Sequence, residues 1–227
     1  MDNRPPRVEF MKGVILAGGL GTRLRPSTLI TNKHLLTVYN KPMIEYPIKT
    51  LTDVGCDEII IVSGGEHIGA FAEYLGSGFT YRVQEEADGI AHALLCVRGL
   101  IDGVFPVILG DNYFSETPSF TATPTIYTKE VPDPNRFGVY YKDKIIEKPL
   151  TNMGNRAVVG FYVYDHRVFD IIDTLTPSSR GEYEITDVNN AYLNLGAWVT
   201  EYEGYWSDLG TFDSLLKTAN YIKEKYE

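Results

Sequence analysis

Three short and almost uninterrupted apolar runs most constrain how this chain can fold: KGVILA at residues 12–17, EIIIV at 58–62 and VFPVIL at 104–109. A strand with no polar alternation must be covered on both faces, as in a parallel sheet clad by helices. The segments between the runs supply such helices. Residues 43–54 place Met43, Ile44, Ile48 and Leu51 at helical spacing, although Pro47 interrupts the middle. Residues 68–75 read as a short helix ended by Gly76, residues 81–84 as a further strand, and residues 90–100 as another helix. Pro106 sits awkwardly inside the third run. The β-α-β-α-β order predicts a three-layer α/β/α, Rossmann-like domain around a predominantly parallel, mixed sheet. Ligands of such sheets gather at the carboxyl ends of the strands. That rule selects residues 18–25, the chain from Gln84 onward, and residues 110–112.

The second half is less regular. Residues 138–141 and 144–147 flank Lys142-Asp143 as a hairpin, and residues 157–164 (AVVGFYVY) form a strong strand. Residues 168–175 and 185–195 are predicted helical and 198–202 extended, with Leu215, Ala219 and Ile222 striping a last helix. No Pro-, Gly- or Ser-rich linker divides the chain, so residues 11–227 are expected to form a single domain after a loose, polar tail at residues 1–10.

Composition narrows the function. A net charge of -9 argues against a general nucleic-acid binder, which needs a basic stripe, but leaves small phosphorylated ligands open. No apolar run reaches membrane-span length, so no membrane partner is expected. Cys56 and Cys96 lack CxxC spacing, which argues against zinc. With no secretion signal visible, they suggest a reducing, cytoplasmic setting.

Five motifs could carry chemistry. Gly18-Gly19-Leu20-Gly21-Thr22-Arg23 follows the first strand directly. Its glycines let backbone N–H groups approach an anion, and Arg23 adds a fork suited to phosphate. A tight strand-to-helix turn is the plainer reading, and neither Walker A nor GxGxxG spacing is present. Lys33 could extend the cationic site or be a solvated charge. Asp111, in Gly110-Asp111-Asn112, and Asp208, in Trp206-Ser207-Asp208-Leu209-Gly210-Thr211, could hold Mg²⁺ or simply cap turns. In Glu147-Lys148-Pro149, Glu147 could accept sugar hydroxyls and Lys148 meet a phosphate, or both could lie on an exposed strand end. The run from Arg180 to Asp187 could be no more than helix initiation. His34, His67, His92 and His166 lack metal-ligand spacing and are expected to be structural or surface residues. No GxSxG elbow or Cys–His arrangement supports a covalent nucleophile.

Together and in order, these segments resemble the sugar-phosphate nucleotidyltransferases. The carrying runs are GVILAGGLGTRL (residues 13–24), Asn32-Lys33, and Lys41-Pro42-Met43-Ile44. Tyr81-Arg82-Val83-Gln84, Asp88-Gly89-Ile90-Ala91, Ile108-Leu109-Gly110-Asp111-Asn112, DPNRFGV (133–139), Glu147-Lys148-Pro149 and residues 179–187 are similar to the glucose-1-phosphate thymidylyltransferase branch. The resemblance implies a nucleotide-diphospho-sugar transferase fold and Mg²⁺-dependent transfer from dTTP to glucose 1-phosphate. It also implies a homo-oligomer, for which a dimer is expected. Residue by residue, it implies that Leu16, Gly18, Gly19, Gly21, Thr22 and Arg23 wrap the nucleotide, with Arg23 and Lys33 on the triphosphate. Gln84 and the Gly89 backbone would read the base, and Asp111 and Asp208 would hold Mg²⁺. Asn112, Gly138, Glu147 and Val158 would line the sugar, with Lys148 and Arg180 on its phosphate.

The chemistry is coherent with these residue types. A sugar phosphate, with a second pKa near ~6, is already an anionic nucleophile at neutral pH. No general base is needed, only cations that let an anion approach a polyanion. UTP or CTP stays open as the donor, because one methyl separates thymine from uracil and is worth about 1–3 kcal/mol. An amino- or deoxy-analogue of the sugar also stays open. A non-catalytic nucleotide-sugar sensor is the rival of another class, although it would not need both aspartates. A dehydrogenase is disfavoured by the missing GxGxxG. The chain departs from the pattern in two places. A Ser/Thr/Pro stretch after Asn112 stands where larger relatives carry a helix. The sequence also ends soon after the last helix, where longer relatives build a regulatory site, so weak or absent feedback by a downstream dTDP-sugar is expected.

Overall fold

A computed structural model of the chain describes residues 10–226. The tail expected at residues 1–10 therefore lies, except for Phe10, outside the described residues. In chain order the strands and α-helices are β1 (Lys12–Leu16), β2 (Thr37–Val38), β3 (Lys41–Pro42), α1 (Glu45–Val54), β4 (Glu58–Gly64), α2 (Gly65–Leu75), β5 (Thr80–Gln84), α3 (Ile90–Leu95), β6 (Val104–Leu109) and β7 (Asn112–Phe114). They continue with β8 (Thr125–Glu130), β9 (Gly138–Tyr141), β10 (Lys144–Glu147), β11 (Arg156–Asp165), α4 (Arg167–Asp173), α5 (Ile185–Asn194), β12 (Trp198–Glu201), β13 (Trp206–Asp208) and α6 (Phe212–Tyr226).

Among the described residues nine strands form the main sheet, in the order β10-β9-β11-β6-β1-β4-β5, with β8 on the other side of β11 and β12 beyond it. β6, β1, β4 and β5 are mutually parallel. β11 runs antiparallel to β6, β8 and β9, while β12 is parallel to β8 and β10 antiparallel to β9. Only β11 and β10 therefore oppose the common direction, and the sheet is mixed but mostly parallel, as expected.

The apolar runs explain the layering. Neighbours along one strand project to opposite faces. Val14 and Leu16 join one buried cluster while Ile15 and Ala17 join another; Ile60 and Val62 separate from Ile59 and Ile61 in the same way. α3, α4 and α5 cover the first face through Leu94, Phe169 and Val188, and α1 and α2 cover the second through Leu51 and Phe71. A third cluster joins Val38, Met43, Tyr113, Leu209 and Ile222, seating α6.

The two prolines that looked out of place are accommodated. Pro47 is the third residue of α1, where helix N–H groups have no intrahelical partner anyway. Pro106 faces Val163 of β11 and precedes Val107, where pairing with β1 begins. The helix expected over residues 90–100 is instead α3 followed by a 3-10 turn at Arg98–Leu100. The helix expected to begin at residue 68 begins at Gly65. β7 pairs with β13 in a separate ladder, and the Ser/Thr/Pro stretch that follows it, residues 115–124, holds neither helix nor strand. Among the described residues no helix is long and apolar enough to cross a membrane, and both cysteines are free thiols.

Candidate active site

The three places selected by the strand-end rule converge. The loop after β1, Gln84 at the end of β5, and Asp111 after β6 line one cleft of about 370 Å³. Leu16, Gly18, Gly19, Gly21, Thr22, Lys33 and Gly89 share its wall, together with His34 and Glu182. Close approach accounts for Gly18: a Cβ there would fall 2.8 Å from Gln84 Oε1. Gln84 is nearly buried and donates from Nε2 to the Gly89 carbonyl at 3.2 Å. Gly89 itself has φ 105° and ψ 171°, a conformation open essentially to glycine alone. A Cβ on it would lie 2.6 Å from the Tyr183 carbonyl oxygen.

Lys33 is anchored by the 3-10 turn Lys33–Leu35, whose first N–H groups are met by Asn32. Its Nζ donates to Asp111 Oδ2 at 2.5 Å. Burial alone would raise the Asp111 carboxyl, but Lys33 foremost, with a hydrogen bond from Asn112, outweighs it and holds the group well below the usual carboxylate range. The β13–β7 ladder sets Asp208 opposite Asn112, and Leu209 N donates to the Asp111 carbonyl at 2.8 Å, so the two aspartates are neighbours. Burial and the nearby Asp111 push the Asp208 carboxyl up. Its Oδ1 accepts from Gly210 N at 2.9 Å, and its Oδ2 lies 3.3 Å from Arg136 and 3.8 Å from Arg23.

The residues expected at the sugar form a second group beside the first. Glu147 ends β10 and accepts from Thr186 Oγ1 at 2.6 Å. Lys148 Nζ and Arg180 lie 3.2 and 3.4 Å from Glu147 Oε1. Arg180 is further held by Glu184 at 2.7 Å and Glu182 at 3.4 Å. Lys148 has φ 41°, a left-handed conformation uncommon for a side-chain-bearing residue, and donates its N–H to the Phe137 carbonyl. Gly138 pairs with Glu147 across the hairpin. Burial foremost, then Glu147 and Asp111, pushes the Tyr162 hydroxyl up.

Two expected sugar contacts present little side chain to a ligand. Val158 is packed into the core and has only its backbone to offer. Asn112 is 3% exposed, and its Oδ1 is occupied by Gly160 N and the Trp206 indole. Arg23 is turned toward Asp208 and does not line the cleft. Arg136, Thr186, Glu182 and Trp206 were not assigned roles from the sequence, although all lie within the motifs already singled out. His34 was expected to be structural or at the surface. It is buried, and it borders the cleft. Asn32 Oδ1 accepts from the His34 backbone N–H and lies 2.8 Å from Nδ1, so Nδ1 carries the proton of a neutral ring. Burial first, then Lys33, lowers its pKa to about 3.

A family model described as nucleotidyl transferase matches residues 12–225. The chain belongs to the nucleotidyl transferase family. Relatives of this nucleotidyl transferase include glucose-1-phosphate thymidylyltransferases from Neisseria gonorrhoeae, 39% identical over 94% of this chain and 83% of the relative, and Mycolicibacterium smegmatis, 38% identical over 94% and 82%. A crystal structure from Bacillus anthracis described as a glucose-1-phosphate thymidylyltransferase superposes with a TM-score of 0.87 at 42% identity, covering 94% of this chain and 96% of that one. A UDP-glucose pyrophosphorylase shares the fold, with a TM-score of 0.86 at 22% identity over 95% and 99%.

Proposed function

We propose that this nucleotidyl transferase joins dTTP to glucose 1-phosphate, giving dTDP-glucose and pyrophosphate. The observation that carries the reading is the pairing of a glycine-lined, Gln84-ended cleft with an adjacent Glu147–Lys148–Arg180 group, in a chain whose relatives of that name align over nearly all of it. Gln84 and the Gly89 backbone would meet the base, and residues 18–23 with Lys33 the triphosphate. Glu147 would accept sugar hydroxyls, while Lys148 and Arg180 would hold the sugar phosphate.

A phosphate oxygen of the sugar attacks the α-phosphorus as the bond to the β-phosphate breaks, and pyrophosphate leaves. The nucleophile is already anionic, so the residues have charge to neutralise and no proton to remove. Lys33, Lys148 and Arg180 supply that neutralisation and orient an in-line approach, and Arg23, which faces Asp208 here, would join them by turning into the cleft. Among the described residues no cluster of three His, Cys, Asp or Glu side chains could cage a metal. Two neighbouring carboxylates still suit Mg²⁺, which completes its shell with phosphate oxygens and water. Asp111 and Asp208 would hold it, and when bound it would draw negative charge from the phosphates.

The test is incubation with Mg²⁺, glucose 1-phosphate and, in separate tubes, dTTP, UTP, CTP, ATP or GTP, following pyrophosphate and the sugar nucleotide by mass. dTDP-glucose should dominate, and Asp111→Ala should lose on the order of a hundredfold in kcat or more. Preference for another triphosphate would move the base assignment. Nucleotide binding without pyrophosphate release in any tube would defeat the reading.

A further inference from the structure

Asn112 is the point where three strands meet. Its Oδ1 takes two hydrogen bonds, one from Gly160 N in β11 at 3.1 Å and one from the Trp206 indole in β13 at 2.7 Å. Both acceptor positions of the amide oxygen are thereby used. This settles which amide atom is nitrogen, and that Nδ2 donates to Asp111 Oδ1 at 3.0 Å. The opposite oxygen of Asp111 faces Lys33. The fit is tight: a Cβ on Gly160 would fall 2.7 Å from the Asn112 amide carbon. Trp206, packed edge-on against Phe137 at 5.1 Å, stands two residues before Asp208 in the same short strand.

We propose that Asn112 is a positioning residue that sets the two candidate metal-binding aspartates relative to each other, turning Asp111 through its amide nitrogen and locating Asp208 through Trp206. The inference rests on the assignment of Asp111 and Asp208 as metal ligands. It gives Asn112 a different task from touching the sugar. A neutral donor on Oδ1 turns the carboxylate without cancelling its charge, whereas Oδ2, which meets Lys33 here, would be released to a metal as Lys33 turns to the phosphates. Loss of such a supporting partner typically costs 10–100-fold in metal affinity or activity.

Asn112→Ala and Trp206→Phe in the full chain separate the possibilities. Mn²⁺ binding is read by the free-ion EPR signal, beside kcat and the KM for glucose 1-phosphate. Asn112→Ala should weaken Mn²⁺ binding about tenfold or more and lower kcat by about 10–100-fold, with the KM for glucose 1-phosphate within about twofold of wild type. Trp206→Phe, which removes only the indole N–H and keeps a ring against Phe137, should shift Mn²⁺ binding and kcat in the same direction by a smaller factor. It decides the matter if the alanine variant does not fold. Unchanged Mn²⁺ affinity with a raised sugar KM would overturn the proposal and make Asn112 a sugar ligand. A wild-type chain that binds no Mn²⁺ would defeat the metal assignment itself. Wild type and both variants binding Mn²⁺ equally would overturn the positioning role alone.

Discussion

At the residue scale, His34 shows how burial sets chemistry. Its ring is neutral in the fold down to about pH 3, whereas a histidine in the unfolded chain takes up a proton near 6.5. The unfolded state therefore binds more protons between those values, so this contribution to stability is complete above the unfolded pKa and is lost as pH falls toward the folded one. Between about pH 7 and 5 the loss is on the order of 2 kcal/mol. Urea midpoints at the two pH values should fall further in the wild type than in His34→Gln; an equal fall would show that another group carries the effect. Gly89 illustrates the opposite case, a side chain that must be absent. Gly89→Ala should cost about 1–3 kcal/mol in strain and raise the KM for dTTP about tenfold, because its carbonyl orients Gln84. Thermal denaturation and initial rates check both parts. The Gly-rich loop, Gln84 and Asp111 could be picked out in the sequence because each lies at a strand end, a local pattern, whereas Lys33 opens a 3-10 turn and was placed on the triphosphate only by the resemblance. Arg136 could not, because its place beside Asp208 comes from chain 72 residues away.

Among elements, the segment from Ser178 to Glu184 spans both halves of the site. Arg180 belongs to the sugar group and Glu182 to the cleft. Tyr183 N donates to the Asp88 carbonyl at 2.7 Å, and Ala91 N to the Tyr183 carbonyl at 3.2 Å, while the Tyr183 ring stacks on His92 at 5.8 Å. Tyr183→Ala should therefore raise the KM for both substrates, by about two- to tenfold for loss of one aromatic pair. A change for only one substrate would show that the segment serves that half alone. From the sequence, helix initiation was the plain reading of this stretch and the resemblance gave Arg180 a phosphate, but nothing local reveals that its backbone pairs with residues 88–91. The hairpin at Lys142-Asp143 was legible for the converse reason. Both residues have positive φ, 48° and 59°, as a two-residue turn between twisted strands demands, and the flanking strands carry their own pattern.

For the whole molecule, the central strands should be the last to open. β1 is paired on both sides and buried on both faces, whereas β10 and β12 close the sheet at two edges. Hydrogen exchange followed by mass spectrometry should find amides of β1, β4 and β6 exchanging near the global rate and those of β10 and β12 sooner. Uniform protection across the sheet would contradict this. The parallel centre, its helices on both faces and the cleft at the strand ends were all present in residue order, because burial on two faces and helical spacing are properties of contiguous chain. β7 and β13 were not, being three residues each and stabilised by their pairing, nor was β8, whose six residues mix Thr, Lys and Glu with Ile and Tyr. The same holds for the two aspartates, 97 residues apart, whose meeting depends on the β7–β13 ladder. Apolar periodicity tells a segment what it must bury, but pairing between distant segments is chosen by the packing of the whole chain. That packing alone decided how Asp111, Asp208, Arg136 and Asn112 would share one site.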